Sequence, residues 1–229
     1  MLPRITCLLS TLFLIPLLTA HGAADTAARS VSFPVRTHGV QLTKTELQEV
    51  LNIAQDKLAH RGVNISLEPD SDSFSGDNVI DKGPIIFETG DVDGCKTIEN
   101  FLKNNPGVVH IVSEIPCCGG VKQGVVGCSG LNLAMLVLPP HQQEDVQLRA
   151  VEWMHELGHN KGLCHSQCST NALMTPNPLG VKDTELDSCE QSVFTGGKLS
   201  DLACTQAQNC RQMNCDDAPE STLERQVTK

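Results

Sequence analysis

Eleven residues constrain this chain more than any others. Residues 155–165 read His-Glu-Leu-Gly-His-Asn-Lys-Gly-Leu-Cys-His. Two histidines four positions apart share one face when the backbone is helical. Val146, Ala150, Trp153 and Leu157 recur at helical spacing and predict a helix from about Glu144 to Lys161. Gly162, three residues past His159, ends it, because a glycine takes the left-handed conformation that turns the chain sharply. The turn brings His165 back toward His155 and His159, where a continuing helix would carry it away.

Such a cluster has a chemistry. Three neutral imidazoles with one open position suit a catalytic zinc ion, whereas a structural site fills the fourth place with cysteine. Water on zinc loses its proton far more readily than free water. Glu156 follows the first histidine and lies beside the ion without having to bind it. It can take that proton as the water attacks a carbonyl and pass it to the leaving amine. The metal stabilises charge developing on the carbonyl oxygen.

The rest of the chain predicts an α+β domain. Val31–Val35 reads as a strand. Thr43–His60 reads as a helix, with Leu47, Val50, Leu51, Ala54 and Leu58 on one face, Thr43 as cap, Glu46 three residues on and Gly62 as stop. Val63–Leu67 alternates as a strand, and 69–83 is a loop. Short strands are expected at Pro84–Phe87, Val108–Ile115, around Val125 and at Leu131–Leu138, with a short helix over Thr97–Lys103. A last helix is expected from Ser200 to about Arg211, ahead of a loose polar tail.

The stretch His155–His165 resembles the extended zinc-binding motif of the metzincin metalloproteases. That family also carries a methionine turn beneath its metal, and Asn171-Ala172-Leu173-Met174-Thr175-Pro176 is similar to it, with Met174 nine residues after His165. The resemblance covers about residues 31–212. It implies a metzincin-like fold: a twisted, mostly parallel sheet with an antiparallel edge strand, an active-site helix, a Met-turn and a C-terminal helix. It implies a zinc endopeptidase with one catalytic ion on His155, His159 and His165, Glu156 as general base, and Met174 supporting the site. The edge strand near 121–130 would pair with extended substrate. Some metzincins place a Tyr just after the Met-turn, but this chain has no Tyr; Pro176 there is closer to the matrixin and adamalysin branches. No cysteine-switch motif is present. The first strand begins within roughly ten residues of the expected cleavage site, so export without a large inhibitory segment is expected. The archaeal metzincins with a second, cysteine-bound zinc space their cysteines differently.

Compartment follows from the N-terminus and the cysteines. Arg4, the apolar run Leu8–Leu18 and the small residues Ala20, Gly22, Ala23 and Ala24 have the order of a secretory signal peptide, assigned to 1–24. The run is short for a membrane span, so a secreted product with no membrane attachment after cleavage is expected. Cys7 is lost on cleavage. Ten cysteines remain, an even number that reads as disulfides in an exported chain. Cys117 and Cys118 should bond to different partners, since a bridge between neighbours strains the backbone. Cys164 and Cys168, flanking His165, are read as disulfides pinning a loop in preference to a second metal site or an inhibitory thiolate.

The 229 residues and a 40% hydrophobic fraction suit one core, here a catalytic domain over 25–215 with a cysteine-rich part at 189–215 and a tail at 216–229. A net charge of −10 argues against nucleic acid as partner. A monomer acting on protein or peptide substrates is expected. Acidic residues at 70, 72, 77, 81, 91 and 93 form no organised loop motif, which leaves calcium unsupported. His38, His60, His110 and His141 show no ligand spacing and read as surface or ordinary polar residues. Asn64-Ile65-Ser66 is a glycosylation acceptor in a eukaryotic source. Three other readings stay open: a protease narrow for one surface glycoprotein, a zinc-containing binding protein that does not cleave, and 189–215 as a docking module. An intact Glu156 argues against the second.

Overall fold

The computed structural model describes residues 29–87, 92–118, 125–140, 145–166, 169, 171–176 and 179–197. The signal segment, the expected helix at 200–211 and the tail lie outside these residues, as do 121–124 of the expected edge strand, His141 and Cys168.

The fold is α+β. The expected strand at 31–35 is two strands, β1 (Arg29–Phe33) and β2 (Val35–His38). Pro34 separates them because it has no N–H to donate to a ladder. Its carbonyl still accepts from Val109 N at 2.9 Å, and the chain changes partners there. β1 runs parallel to β3 (Ile65–Pro69). β2 runs parallel to β6 (Val109–Val112), and β6 parallel to β8 (Met135–Val137). β7 (Gly127–Cys128) pairs antiparallel with β8 and forms the edge, giving the order β2-β6-β8-β7. The loop at 69–83 contains a small hairpin, β4 (Phe74–Ser75) and β5 (Asn78–Val79).

Pro84–Phe87 is not a strand. The free side of β2 is bonded one step earlier, by Thr37 N to Ile80 O and Lys82 N to Thr37 O, and Pro84 cannot donate to extend that ladder.

Helix α1 (Lys44–Ala59) starts on the expected capping box: Thr43 Oγ1 accepts from Glu46 N, and Glu46 Oε2 accepts from Thr43 N. Leu47, Val50, Leu51, Ala54 and Leu58 are its buried face. Helix α2 (Val92–Asn104) is longer than the expected 97–103, and its first turns are held by a disulfide from Cys95 to Cys117. Helix α3 (Val146–Asn160) carries the motif, and α4 (Ser188–Phe194) was not anticipated.

Because side chains alternate along a strand, the main sheet divides two cores. Val109, Ile111, Met135 and Val137 pack with α1 and α3, while Val112 and Leu136 pack with Ile98 and Leu102 of α2. α3 is thereby fixed between α1, the sheet and α4, with its residues 149–158 buried.

Candidate metal centre

The end of α3 sets the site. Leu163 N donates to Gly158 O at 2.9 Å and Gly162 N to His159 O at 2.9 Å, with Gly162 at φ +93°. That is a Schellman stop, which only a left-handed residue permits. The chain then doubles back, and the ligating nitrogens of His155, His159 and His165 all lie within 4.8 Å of one another.

Backbone carbonyls orient the rings. His155 Nδ1 bonds to Leu173 O at 2.7 Å, and His159 Nδ1 bonds to Leu163 O at 2.8 Å. A carbonyl only accepts, so each Nδ1 carries the proton and each Nε2 presents a bare lone pair. Those Nε2 atoms are 3.0 Å apart, and His165 Nε2 lies 3.3 Å from His159 Nε2. Two lone pairs with no proton between them repel unless a cation takes both. Tetrahedral zinc with bonds of about 2.0–2.1 Å holds its nitrogens roughly 3.3–3.4 Å apart, so the donor set and its spacing fit that ion. Burial, reinforced by the neighbouring rings, lowers the pKa of His155 far below the usual imidazole value and that of His165 to about 4, and burial also lowers that of His159. All three are neutral at pH 7, as metal ligation requires.

Glu156 is 5% exposed, and its Oε2 has no hydrogen-bond partner among the described residues. Burial, then the charge of Glu152, pushes its pKa up to about 8. A divalent cation in the adjacent histidine cluster opposes that shift and favours the carboxylate. Glu152 is itself pushed up to about 7 by burial, opposed by Arg149, whose Nη1 donates to Glu152 Oε2 at 2.5 Å while Nη2 donates to Asp145 Oδ2 at 3.2 Å.

Met174 is fully buried beneath α3. A Cβ built on Gly158 would stand 2.5 Å from its Sδ, so α3 sits on the methionine only because residue 158 has no side chain. Behind the cluster, Ser166 N donates to Met174 O at 2.6 Å, and Ser166 Oγ donates to Glu190 Oε1 at 2.8 Å. Glu190 belongs to α4, where its other oxygen accepts from Asp187 N in a capping box. Helix α4 thus ties down the residue next to His165.

Sequence reasoning missed five contributors. Gly158 and Gly127, the latter packed against the Glu156 side chain, act by the absence of a side chain, and the Leu173 and Leu163 carbonyls by backbone position; none leaves a local signal. The pattern Asp187-x-x-Glu190 did offer one, a capping box ahead of Val193 and Phe194.

Cys118 bonds to Cys128 while Cys117 bonds to Cys95, so the adjacent pair does take separate partners. Cys164 is disulfide-bonded and is therefore no inhibitory thiolate; Cys189 is bonded too. His38 and His110 are not surface residues. They are 8% and 5% exposed and hydrogen-bonded, Nε2 to Nδ1, at 2.8 Å beneath Phe101. An apolar cavity of about 150 Å³ lies on the other side of α3, lined by Phe33, Leu67, Met135, Trp153 and Leu157, and shares no lining residue with the metal centre.

No family model matches the sequence, and no curated protein does. Among solved structures the chain is similar to an archaemetzincin from Methanopyrus kandleri, at 14% identity and TM-score 0.40, over 81% of this chain and 97% of that one. It is similar to metalloproteinase-II from Bacteroides fragilis at 12% identity and TM-score 0.44, over 74% of this chain and 54% of that one. A chaperone–substrate complex gives 13% identity and TM-score 0.41, over 73% of this chain and 34% of the other. Likenesses this distant say nothing of catalysis or substrate here.

Proposed function

We propose that this chain is a secreted zinc endopeptidase of the metzincin kind, acting on extracellular proteins or peptides. The observation that carries the reading is the convergence of the His155, His159 and His165 Nε2 atoms, two of them with lone pairs fixed inward, beside the buried carboxyl of Glu156.

His155, His159 and His165 would hold one zinc ion. When bound, the ion supplies Lewis acidity, making a water acidic and polarising a peptide carbonyl. Glu156 accepts a proton at its carboxyl group and returns it to the departing amine. The enclosure of Glu156 keeps bulk water from competing for that proton. β7 is the edge of the sheet among the described residues and has no strand on its outer side there, where an extended peptide can add as a further strand. Met174 and the carbonyl of Leu173 support the site from below, the latter by fixing the tautomer of His155. The disulfides at Cys95, Cys117, Cys118, Cys128, Cys164 and Cys189 support an oxidising, extracellular location.

The test is digestion of casein by the purified chain beside Glu156→Ala, with zinc measured in both. The expected result is about one zinc per chain in each, one ion filling a three-histidine site, and cleavage by the wild type alone. Zinc in both with no cleavage of casein or of a diverse peptide library would replace this reading with that of a zinc-containing binding protein. Equal cleavage by both would remove Glu156 from its role.

A further inference from the structure

We infer that the Cys118–Cys128 disulfide positions the general base: it clamps Gly127 of the edge strand against Glu156. The inference rests on the role proposed for Glu156 and adds a residue pair outside the metal centre to the catalytic apparatus.

Packing is tightest where the strand is weakest. A Cβ built on Gly127 would lie 2.5 Å from both Cγ and Oε1 of Glu156, so the backbone of β7 is the wall against which this carboxyl rests. Yet among the described residues β7 has two residues, pairs only with β8 in the sheet, and gains one further ladder bond, Leu138 N to Val126 O at 3.3 Å. So short an edge has little to hold it by hydrogen bonding alone. Side chains alternate along a strand, so Cys128 points away from Glu156. It is 4% exposed and belongs to the small core with Cys117, Ile98 and Leu102. Its sulfur is bonded to Cys118, and the next residue back, Cys117, is bonded to Cys95 of α2. Two consecutive bridges thus run from α2 to the strand that touches the base. None of the four cysteines belongs to the cluster that would hold the metal.

The test replaces both partners, Cys118→Ser with Cys128→Ser, and separately Gly127→Ala with the bridges intact. Four readouts are compared with the wild type: zinc content, kcat, KM and hydrogen exchange at the amides of residues 126–129. For the cysteine pair the expected result is unchanged zinc, faster exchange at 126–129 and a fall in kcat on the order of 100-fold, the scale of an ångström's misplacement of a reacting group. For Gly127→Ala the expected result is unchanged zinc and a similar fall in kcat. An unchanged kcat, or a change in KM alone, would overturn the inference, since a strand that merely receives substrate moves KM. If the serine pair loses zinc or fails to fold, Cys118→Ala with Cys128→Val, which keeps the small core apolar, decides by the same criterion, and Gly127→Ala tests only the contact with Glu156. A wild type that cleaves nothing is a failure of the proposed function. The clamp is then judged by exchange alone, and unchanged protection at 126–129 without the bridge overturns it.

Discussion

The two faces of the main sheet are held by different means. On one face α1, α3 and α4 share a broad apolar core with fully buried Leu51, Leu58, Leu173 and Phe194. On the other, α2 is the only helix that packs among the described residues, over a small core around Ile98, Leu102 and Leu136. There two disulfides and a buried histidine pair accompany the apolar contacts. A layer that cannot bury much apolar surface needs other constraints, and cross-links supply them largely by restricting the unfolded chain. The division matters because the site draws on both layers: the histidines come from the well-packed side, while Gly127 comes from a strand stapled to the thin side.

The largest expected effect tests the packed layer. Phe194→Ala empties a fully buried site and should cost about 3–5 kcal/mol, read from denaturant midpoints. It should also weaken zinc retention, because α4 carries Glu190 to Ser166. Next, in the thin layer, Cys95→Ala with Cys117→Ala opens a link across a sequence separation of 22. A loss of about 3 kcal/mol is expected; a loss below about 1 kcal/mol would mean that α2 stands on its own packing and that the contrast fails.

A pH titration sharpens the contrast further. Burial, then His38 and Arg36, lowers the pKa of His110 from 6.5 to about 4. The pKa of His38 is lowered too, chiefly by burial, with the Gly83 carbonyl and then Asp81 raising it and Lys82 lowering it. Below pH 6.5 the unfolded chain binds protons that the folded pair refuses, so stability present at neutral pH is lost as pH falls toward 4. Between pH 7 and 5 His110 alone should account for ~2 kcal/mol. Replacing both His38 and His110 by Leu should flatten that part of the curve in apo protein. Smallest of all, Thr43→Ala removes a half-buried cap from α1 and should cost about 1 kcal/mol, because Leu47, Leu51 and Leu58 already pin that helix.

What was legible in the sequence was local. The Thr43 capping box, the face of α1 and the stop at Gly162 depend on neighbours within a turn or two, and the structure has them where the spacing put them. The meeting of the three histidines follows from the same arithmetic. What was not legible depends on partners far along the chain. Pro34 splits one expected strand because β3 and β6 compete for it. Pro84–Phe87 is no strand because residues 80–82 reach β2 first. The histidine pair at 38 and 110 looked ordinary because its burial is created by α2. Within the site, the supports that escaped notice are two glycines and two carbonyls, whose importance lies in what they approach.

Met174 carries a further consequence, for the working lifetime of the molecule. A thioether gains an oxygen when peroxide reaches it, and that oxygen needs room on the sulfur. Here the sulfur is fully buried against a glycine that has no side chain to yield. Oxidant therefore has to wait for the packing around Met174 to open, and the rate at which peroxide oxidises this sulfur should level off at the rate of that opening. Once oxidised, the sulfur would no longer fit under Gly158, so the same close approach that shields the site would make a single lesion there permanent until a reductase repaired it.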